Sequence, residues 1–328
     1  MTVVVVGAGV VGLTCAVRLA EAGHRVRVLA REGPLATTSA VAGALWSPYL
    51  VQPRERVDAW AARTYRVLAV LATREPESGV SMRELRSFSR EALPDPSWRF
   101  AVDGFRRLRR DELPAGYADG WSASVPLPET PRYLPWLATR LARAGVDVEV
   151  VPGGVPSLAA AGEGASLLVN CSGLGARTLA GDATVAPVRG QVALLENPGL
   201  DHAVLDEDDG AAPVYVIPRR DDCVVGGTAE AGAESLAPDA ATTVAIVARA
   251  VRLVPALAGA RLLDVRVGLR PARPVVRLEL ERPQASETRA PAPPVIHCYG
   301  HGGSGHTLAW GCADEVLALA ERALSAAS

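Results

Sequence analysis

Three observations predict an α/β fold in which a parallel βαβ layer is interleaved with a second, mainly antiparallel α+β domain. The chain opens as strand, helix and strand within about thirty residues. Elements of the same layer type return near Leu167 after a long interruption, and short β-runs separated by Gly, Pro and Asp fill the later part. At 328 residues, 49% hydrophobic and 21% charged, the chain is too long for one ordinary core and too apolar for disorder. Two domains are expected, with residues 1–50, 140–186 and 262–328 in the first and 51–139 and 187–261 in the second.

Val3–Val6 are four β-branched residues and read as a buried strand. Val10, Leu13, Ala16, Val17 and Ala20 then repeat at helical spacing until Gly23 ends the helix. Val26, Val28 and Ala30 alternate with Arg25, Arg27 and Leu29 as a second strand. A helix follows around Val57–Leu71, a proline turn at Pro94-Asp95-Pro96, and an amphipathic helix over Tyr133–Ala144 before Val146, Val148 and Val150 return to strand. Leu167–Val169 is a short strand running into Cys171-Ser172-Gly173. Val188–Leu195, Val214–Ile217, Val224–Gly227 and Val265–Gly268 suit an antiparallel sheet. Arg282–Pro294, with four prolines, is expected as an exposed loop; Val295–Cys298 is a strand, Gly300–Gly305 a loop and Thr307–Leu324 a closing helix.

All 34 cationic residues are arginine. Without lysine there is no Schiff base, no Walker A phosphate contact and no lysine nucleophile. A net charge of -2, with no basic cluster longer than Arg106–Arg110, argues against nucleic acid. Apolar runs fall short of the roughly 20 residues that span a membrane, and no charged region precedes a signal-like stretch, so a cytoplasmic protein is expected. Cys15, Cys171, Cys223, Cys298 and Cys312 form no CxxC pair and no His spacing of a zinc site; reduced, inert thiols and no metal are expected.

Gly7-Ala8-Gly9-Val10-Val11-Gly12 fits the GxGxxG pattern directly between a strand and a helix, a Rossmann-type dinucleotide loop. The helix N-terminus offers unpaired N–H groups and positive potential to a pyrophosphate. The motif does not distinguish NAD from FAD. Where an acid should take ribose hydroxyls stand Ala30 and Arg31, with Glu32 just later; Arg31 either meets the adenosine side or both charges are solvated. Thr37-Thr38-Ser39 running into Ala42-Gly43-Ala44-Leu45 reads either as phosphate-binding hydroxyls followed by a bed for a flat ring, or as a cap on a tightly packed helix. His301 and His306 read as packed or capping histidines before acid–base groups. Arg270, Arg273 and Arg277 lie along a proline-stiffened segment, a solvated face or a rigid grip on a carboxylate.

Nearly end to end, the chain resembles the D-amino-acid oxidase family of flavoproteins, which includes D-aspartate oxidases. The resemblance rests on Val295–Ala313, Ala42–Tyr49, Val169–Gly173, Arg189-Gly190-Gln191, Tyr215–Pro218 and Gly268–Glu279. It implies noncovalent FAD held by Gly7–Gly12, Arg31, Glu32, Thr37–Ser39, Gly43–Leu45, Val155, Ser172 and Gly302–Thr307, that is Gly302, Gly303, Ser304, Gly305, His306 and Thr307. It further implies that Arg270 and the Tyr215 hydroxyl hold the substrate carboxylate, that the Gly303 carbonyl accepts from the amine, and that Leu45, Ser47 and Tyr49 line the substrate pocket.

The reaction so implied is hydride transfer from a neutral D-amino acid to FAD, with O2 as second substrate and a 2-oxo acid, ammonia and hydrogen peroxide as products. D-aspartate and glycine or sarcosine oxidases are the alternatives, and a homodimer is a possibility. D-aspartate oxidases carry an arginine just after a Gly-Gly-Thr strand end, where this chain has Ala229 and Glu230, a potential repulsion for an acidic substrate. Arg219 and Arg220 are the substitutes for that cation. The family's active-site lid matches Asp206–Val214, which holds no aromatic residue.

Overall fold

The computed structural model describes residues 1–49, 51–282 and 292–325. Its first sheet has six strands in the order Arg277–Glu281, Val295–Tyr299, Leu167–Asn170, Thr2–Val6, Arg25–Ala30, Val148–Val150. All neighbours run parallel except the first pair, as βαβ crossovers require. Val3, Val5 and Val28 are sealed from solvent because helices cover this sheet, which is why Thr2–Val6 and Leu167–Asn170 at its centre read as nearly continuous apolar runs.

The helix Val10–Glu21 packs on Gly305–Ser325 and on Thr130–Arg143. The long helix Arg54–Arg74 crosses Gly305–Ser325 at Gly311, where an added Cβ would stand 2.3 Å from the Trp60 carbonyl oxygen. Only glycine permits that approach. The predicted helices and parallel strands are present with ends shifted by a few residues; the Arg282–Pro294 loop lies largely outside the described residues.

The second sheet has nine strands. Eight follow the order Glu230–Ala231, Ala186–Leu195, Cys223–Gly226, Val214–Pro218, Ala203–Asp206, Val80–Ser89, Asp119–Pro128, Asp103–Arg107. The ninth, Leu262–Ala272, corrects the sequence-based boundary at 262: it pairs antiparallel with Ala186–Leu195 along its length and therefore lies in the second sheet. The boundary at 140 likewise falls inside the helix Thr130–Arg143. One helix in the region read as β-rich, Ala240–Leu253, packs on Ala186–Leu195, Val214–Pro218 and Cys223–Gly226. Its start is capped by the Asp239 carboxylate, which accepts from the Thr242 N–H at 2.7 Å.

Candidate functional site

The nucleotide loop has the geometry that its three glycines require. Gly7 adopts φ +114°, and a Cβ there would stand 2.4 Å from the Cys171 carbonyl oxygen. A Cβ on Gly12 would stand 2.0 Å from the Gly7 carbonyl oxygen, so the helix could not seat on the turn. Val10–Glu21 opens with no side-chain cap and no acid in its first turn, which leaves its N-terminal potential uncompensated. The Val10 N–H donates to Ser39 Oγ at 3.0 Å, bringing Thr37–Ser39 beside Ala8 to Val11. Thr38–Val41 is a single helical turn with Thr37 at its N-cap position, packed on Leu262–Ala272 and Thr130–Arg143.

Arg31 and Glu32 pair with each other at 3.3 Å on the surface, and Gly154, next to Val155, lies against the Arg31 stem. Ser172 closes the far side: its N–H and Oγ both donate to Asn170 Oδ1, at 3.2 and 2.6 Å. This asparagine, buried in the strand, organises the turn and was not singled out by sequence. Glycine backbone, the N-terminal turn of Val10–Glu21 and Ser39 come together here, a donor set that fits a dinucleotide pyrophosphate.

The Ala42–Tyr49 stretch is stitched to the C-terminal loop. The Tyr49 N–H donates to Ser304 Oγ at 2.7 Å while Ser304 Oγ donates to the Tyr49 carbonyl at 2.8 Å. Thr307 Oγ1 does the same with Ser47, at 3.2 and 3.0 Å. These hydroxyls therefore hold protein backbone. Trp46, sealed among Tyr65 and Trp98, anchors the stretch from behind, and its indole N–H donates to the Ala61 carbonyl at 3.0 Å. Ala44 takes φ +60° between Gly43 and the nearly buried Leu45; a Cβ on Gly43 would strike Ile217 Cδ1 at 2.5 Å.

His306 Nε2 donates to the Ser39 carbonyl at 2.9 Å, and burial pulls its pKa down to about 4. It is a neutral packed histidine, as sequence favoured. Its Nδ1 has no partner. Gly302 N–H donates to the Pro271 carbonyl at 2.9 Å, which draws Gly303 beside Arg270 and Tyr49: a Cβ on Gly303 would stand 2.9 Å from Tyr49 Cδ1 and 3.6 Å from Arg270 Cδ. Gly305 in turn approaches Val10, its added Cβ 3.6 Å from Val10 Cγ1, so the loop joins the two halves of the site.

Arg270 lies near the end of the strand Leu262–Ala272, and its Nη1 donates to the Thr228 carbonyl at 2.9 Å. Tyr215, on Val214–Pro218, lies across Gly226 and Gly227, where its phenol feels the Arg270 charge. Burial raises the pKa of the Tyr215 phenol, against the opposing pull of Arg270, so it remains a proton donor at neutrality. Burial also raises the Tyr49 phenol, and its hydroxyl is buried with no partner. Arg189, Arg219 and Arg273 are paired with Glu230, Asp222 and Asp182 at 2.8, 2.6 and 2.8 Å. Arg270 has no carboxylate partner among the described residues. It retains guanidinium N–H groups for an anion.

Two sequence expectations change here. Glu230 is held by Arg189 instead of standing as a free repulsive charge, and Arg219 is committed to Asp222. Glu207, in the short connector after Ala203–Asp206, is exposed; its charge acts on the Tyr49 phenol, and desolvation, reinforced by Asp206, lifts its carboxyl to about 7.

No helix among the described residues is long and apolar enough to cross a membrane. The FAD dependent oxidoreductase (DAO) family model matches residues 2–319. The chain is 51% identical to a D-amino-acid oxidase of Rubrobacter xylanophilus, covering 98% of this chain and 96% of that one, and 44% identical to a D-amino-acid oxidase of Streptomyces coelicolor, covering 97% and 96%. In fold it is similar to glycine oxidase from Geobacillus kaustophilus, with a TM-score of 0.76 at 19% identity over 98% of this chain and 94% of that one. With a fitting dinucleotide loop and a family match across nearly its whole length, the chain belongs to the FAD-dependent oxidoreductases of the DAO family.

Proposed function

We propose that this protein is a D-amino-acid oxidase for substrates with neutral side chains. The observation that carries the reading is Arg270, a half-buried guanidinium without an acidic partner, flanked by the Tyr215 and Tyr49 hydroxyls and by Gly303. A carboxylate is the group that would satisfy all three donors.

Bound FAD supplies two-electron acceptance and reoxidation by O2 with release of hydrogen peroxide. The residues that would hold it are the Gly7–Gly12 loop, Thr37–Ser39, Gly43–Leu45, Ser172 and the Gly302–Thr307 loop. In our reading Arg270 grips the substrate carboxylate, Tyr215 donates to it, and the Gly303 carbonyl accepts from the amine. Holding the carboxylate and the amine fixes two substituents of Cα and so restricts the direction of its C–H bond, which is the protein's main contribution to rate. A neutral amine needs no side-chain base, in keeping with the neutral, already bonded His306. The net reaction is D-amino acid, O2 and water to 2-oxo acid, ammonia and hydrogen peroxide.

Acidic side chains are disfavoured because Arg219 is occupied by Asp222 and Glu207 adds negative charge near the pocket. A peroxide-coupled screen of paired D- and L-amino acids with FAD-loaded protein tests the reading. Turnover of neutral D-isomers with inert L-isomers is expected; no peroxide from any D-amino acid would reject it, and a highest kcat/KM for glycine or sarcosine would replace it.

A further inference from the structure

Four of the five cysteines converge beneath the nucleotide loop. Cys15 comes from the helix Val10–Glu21, Cys171 from the turn after Leu167–Asn170, Cys298 from the strand Val295–Tyr299 and Cys312 from the helix Gly305–Ser325. The ligating atoms of Cys15, Cys171 and Cys298 all lie within 4.8 Å of one another, as do those of Cys298, His301 and Cys312. Cys298 belongs to both groups. His301 is only 3% exposed, and its Nε2 has no partner.

A core readily takes one thiol as a small hydrophobe. Three thiols and an imidazole around a fourth sulfur, with a buried ring nitrogen unpaired, are poorly explained by packing, because an unsatisfied buried polar group is destabilising. The same set is a donor composition for a borderline or soft cation and, lacking carboxylates, a poor one for Mg2+ or Ca2+. Tetrahedral zinc, with Zn–S near 2.3 Å, places its sulfurs about 3.8 Å apart, so each triad needs to contract by no more than about 1 Å. The donors stand far apart in sequence, which hides them from any spacing motif.

We propose that Cys298, Cys312 and His301 form a buried three-ligand site for a thiophilic cation of the Zn2+ class. Binding would release the proton of each ligating thiol to solvent and involves no redox change. The ion would tie the helix Gly305–Ser325 to the strand Val295–Tyr299 and to the loop that joins them, so it would be loaded during folding.

The test is metal analysis of FAD-loaded protein expressed with supplementary Zn2+, then with Cd2+, whose thiolate charge-transfer absorption reports sulfur ligation directly. About one ion per chain with that absorption is expected, falling about tenfold or more in Cys298→Ala and unchanged in Cys223→Ala, the cysteine outside the cluster. Should Cys298→Ala fail to fold, wild-type protein decides alone. Wild-type chains with less than about a tenth of an equivalent of either ion, Cd2+ without the thiolate absorption, or equal loading in Cys298→Ala would each overturn the site.

Discussion

Gly190 lies directly beneath the Arg270 guanidinium: a Cβ added at Gly190 would stand 2.3 Å from Arg270 Nη1 and 2.6 Å from Cζ. The two are diagonal neighbours across the pair Ala186–Leu195 and Leu262–Ala272, in which Arg270 is opposite Val188. The missing side chain makes room for the cation.

Gly190→Ala should therefore act as a displaced Arg270. Losing one partner of a desolvated charge-assisted pair costs about 2–5 kcal/mol, tens- to thousands-fold in efficiency. We expect kcat/KM for a neutral D-amino acid to fall into that range with the flavin spectrum unchanged. Steady-state kinetics alongside Arg270→Ala check this; wild-type kinetics in either variant would remove Arg270 from the carboxylate.

Arg273→Ala should show the opposite split. Arg273 and the Tyr299 hydroxyl donate to Asp182 at 2.8 and 2.9 Å, and these contacts hold that carboxyl well below its usual range despite burial. Truncating the arginine strands a buried charge, at about 3–5 kcal/mol for a fully buried pair and less here, where Arg273 is partly exposed. Thermal unfolding should report a clear fall in Tm, with kcat/KM of the folded protein within a few-fold of wild type. Arg277, bonded to Glu279, Glu281 and Tyr299, should behave as a milder version.

Glu207 predicts a pH signature. Its folded-state pKa is about 7 against an ordinary 4.5, so the protonated form is favoured on folding. That contribution is complete below about pH 4.5 and is lost as pH rises through 7. Over the same upper range the growing charge should repel acidic substrates. The kcat/KM ratio of D-aspartate to D-alanine should fall several-fold between about pH 6 and 8, and be flat in Glu207→Gln, where Arg270, Tyr215 and Tyr49 are retained. An identical slope in the variant would assign the effect elsewhere.

The flavin should be retained without a covalent bond. Acid precipitation should leave all yellow colour in the supernatant. Gly12→Ala, whose Cβ would collide with the Gly7 carbonyl, should purify largely colourless or insoluble, as absorbance per chain will show.

The centre of the first sheet was legible because burial on both faces leaves an uninterrupted valine run in Thr2–Val6, whereas Arg277–Glu281, edged with charges, was not; the nucleotide loop was legible because backbone crowding allows only glycine at Gly7 and Gly12. Helix Ala240–Leu253 was missed although Thr243, Ile246, Ala250 and Leu253 keep helical spacing behind the Asp239 cap; flanking β-runs masked it. The place of Leu262–Ala272 was illegible for a different reason. Membership of a sheet is decided by a partner some 75 residues away, and local pattern says nothing of which edge a strand joins. Glu207 was passed over because its importance comes from its charge acting on Tyr49, a tertiary fact. Family motifs supplied Arg270, Tyr215 and Gly303; Gly190 lay within one without its reason being visible.

The strand carrying Arg270 ends at Ala272 in one sheet, and the chain enters the other at Arg277. A tether this short works as a fixed-length strut between Arg270 and the nucleotide layer. Breathing between the sheets cannot carry the guanidinium far from that layer, so side chains elsewhere can change while its reach is inherited unchanged.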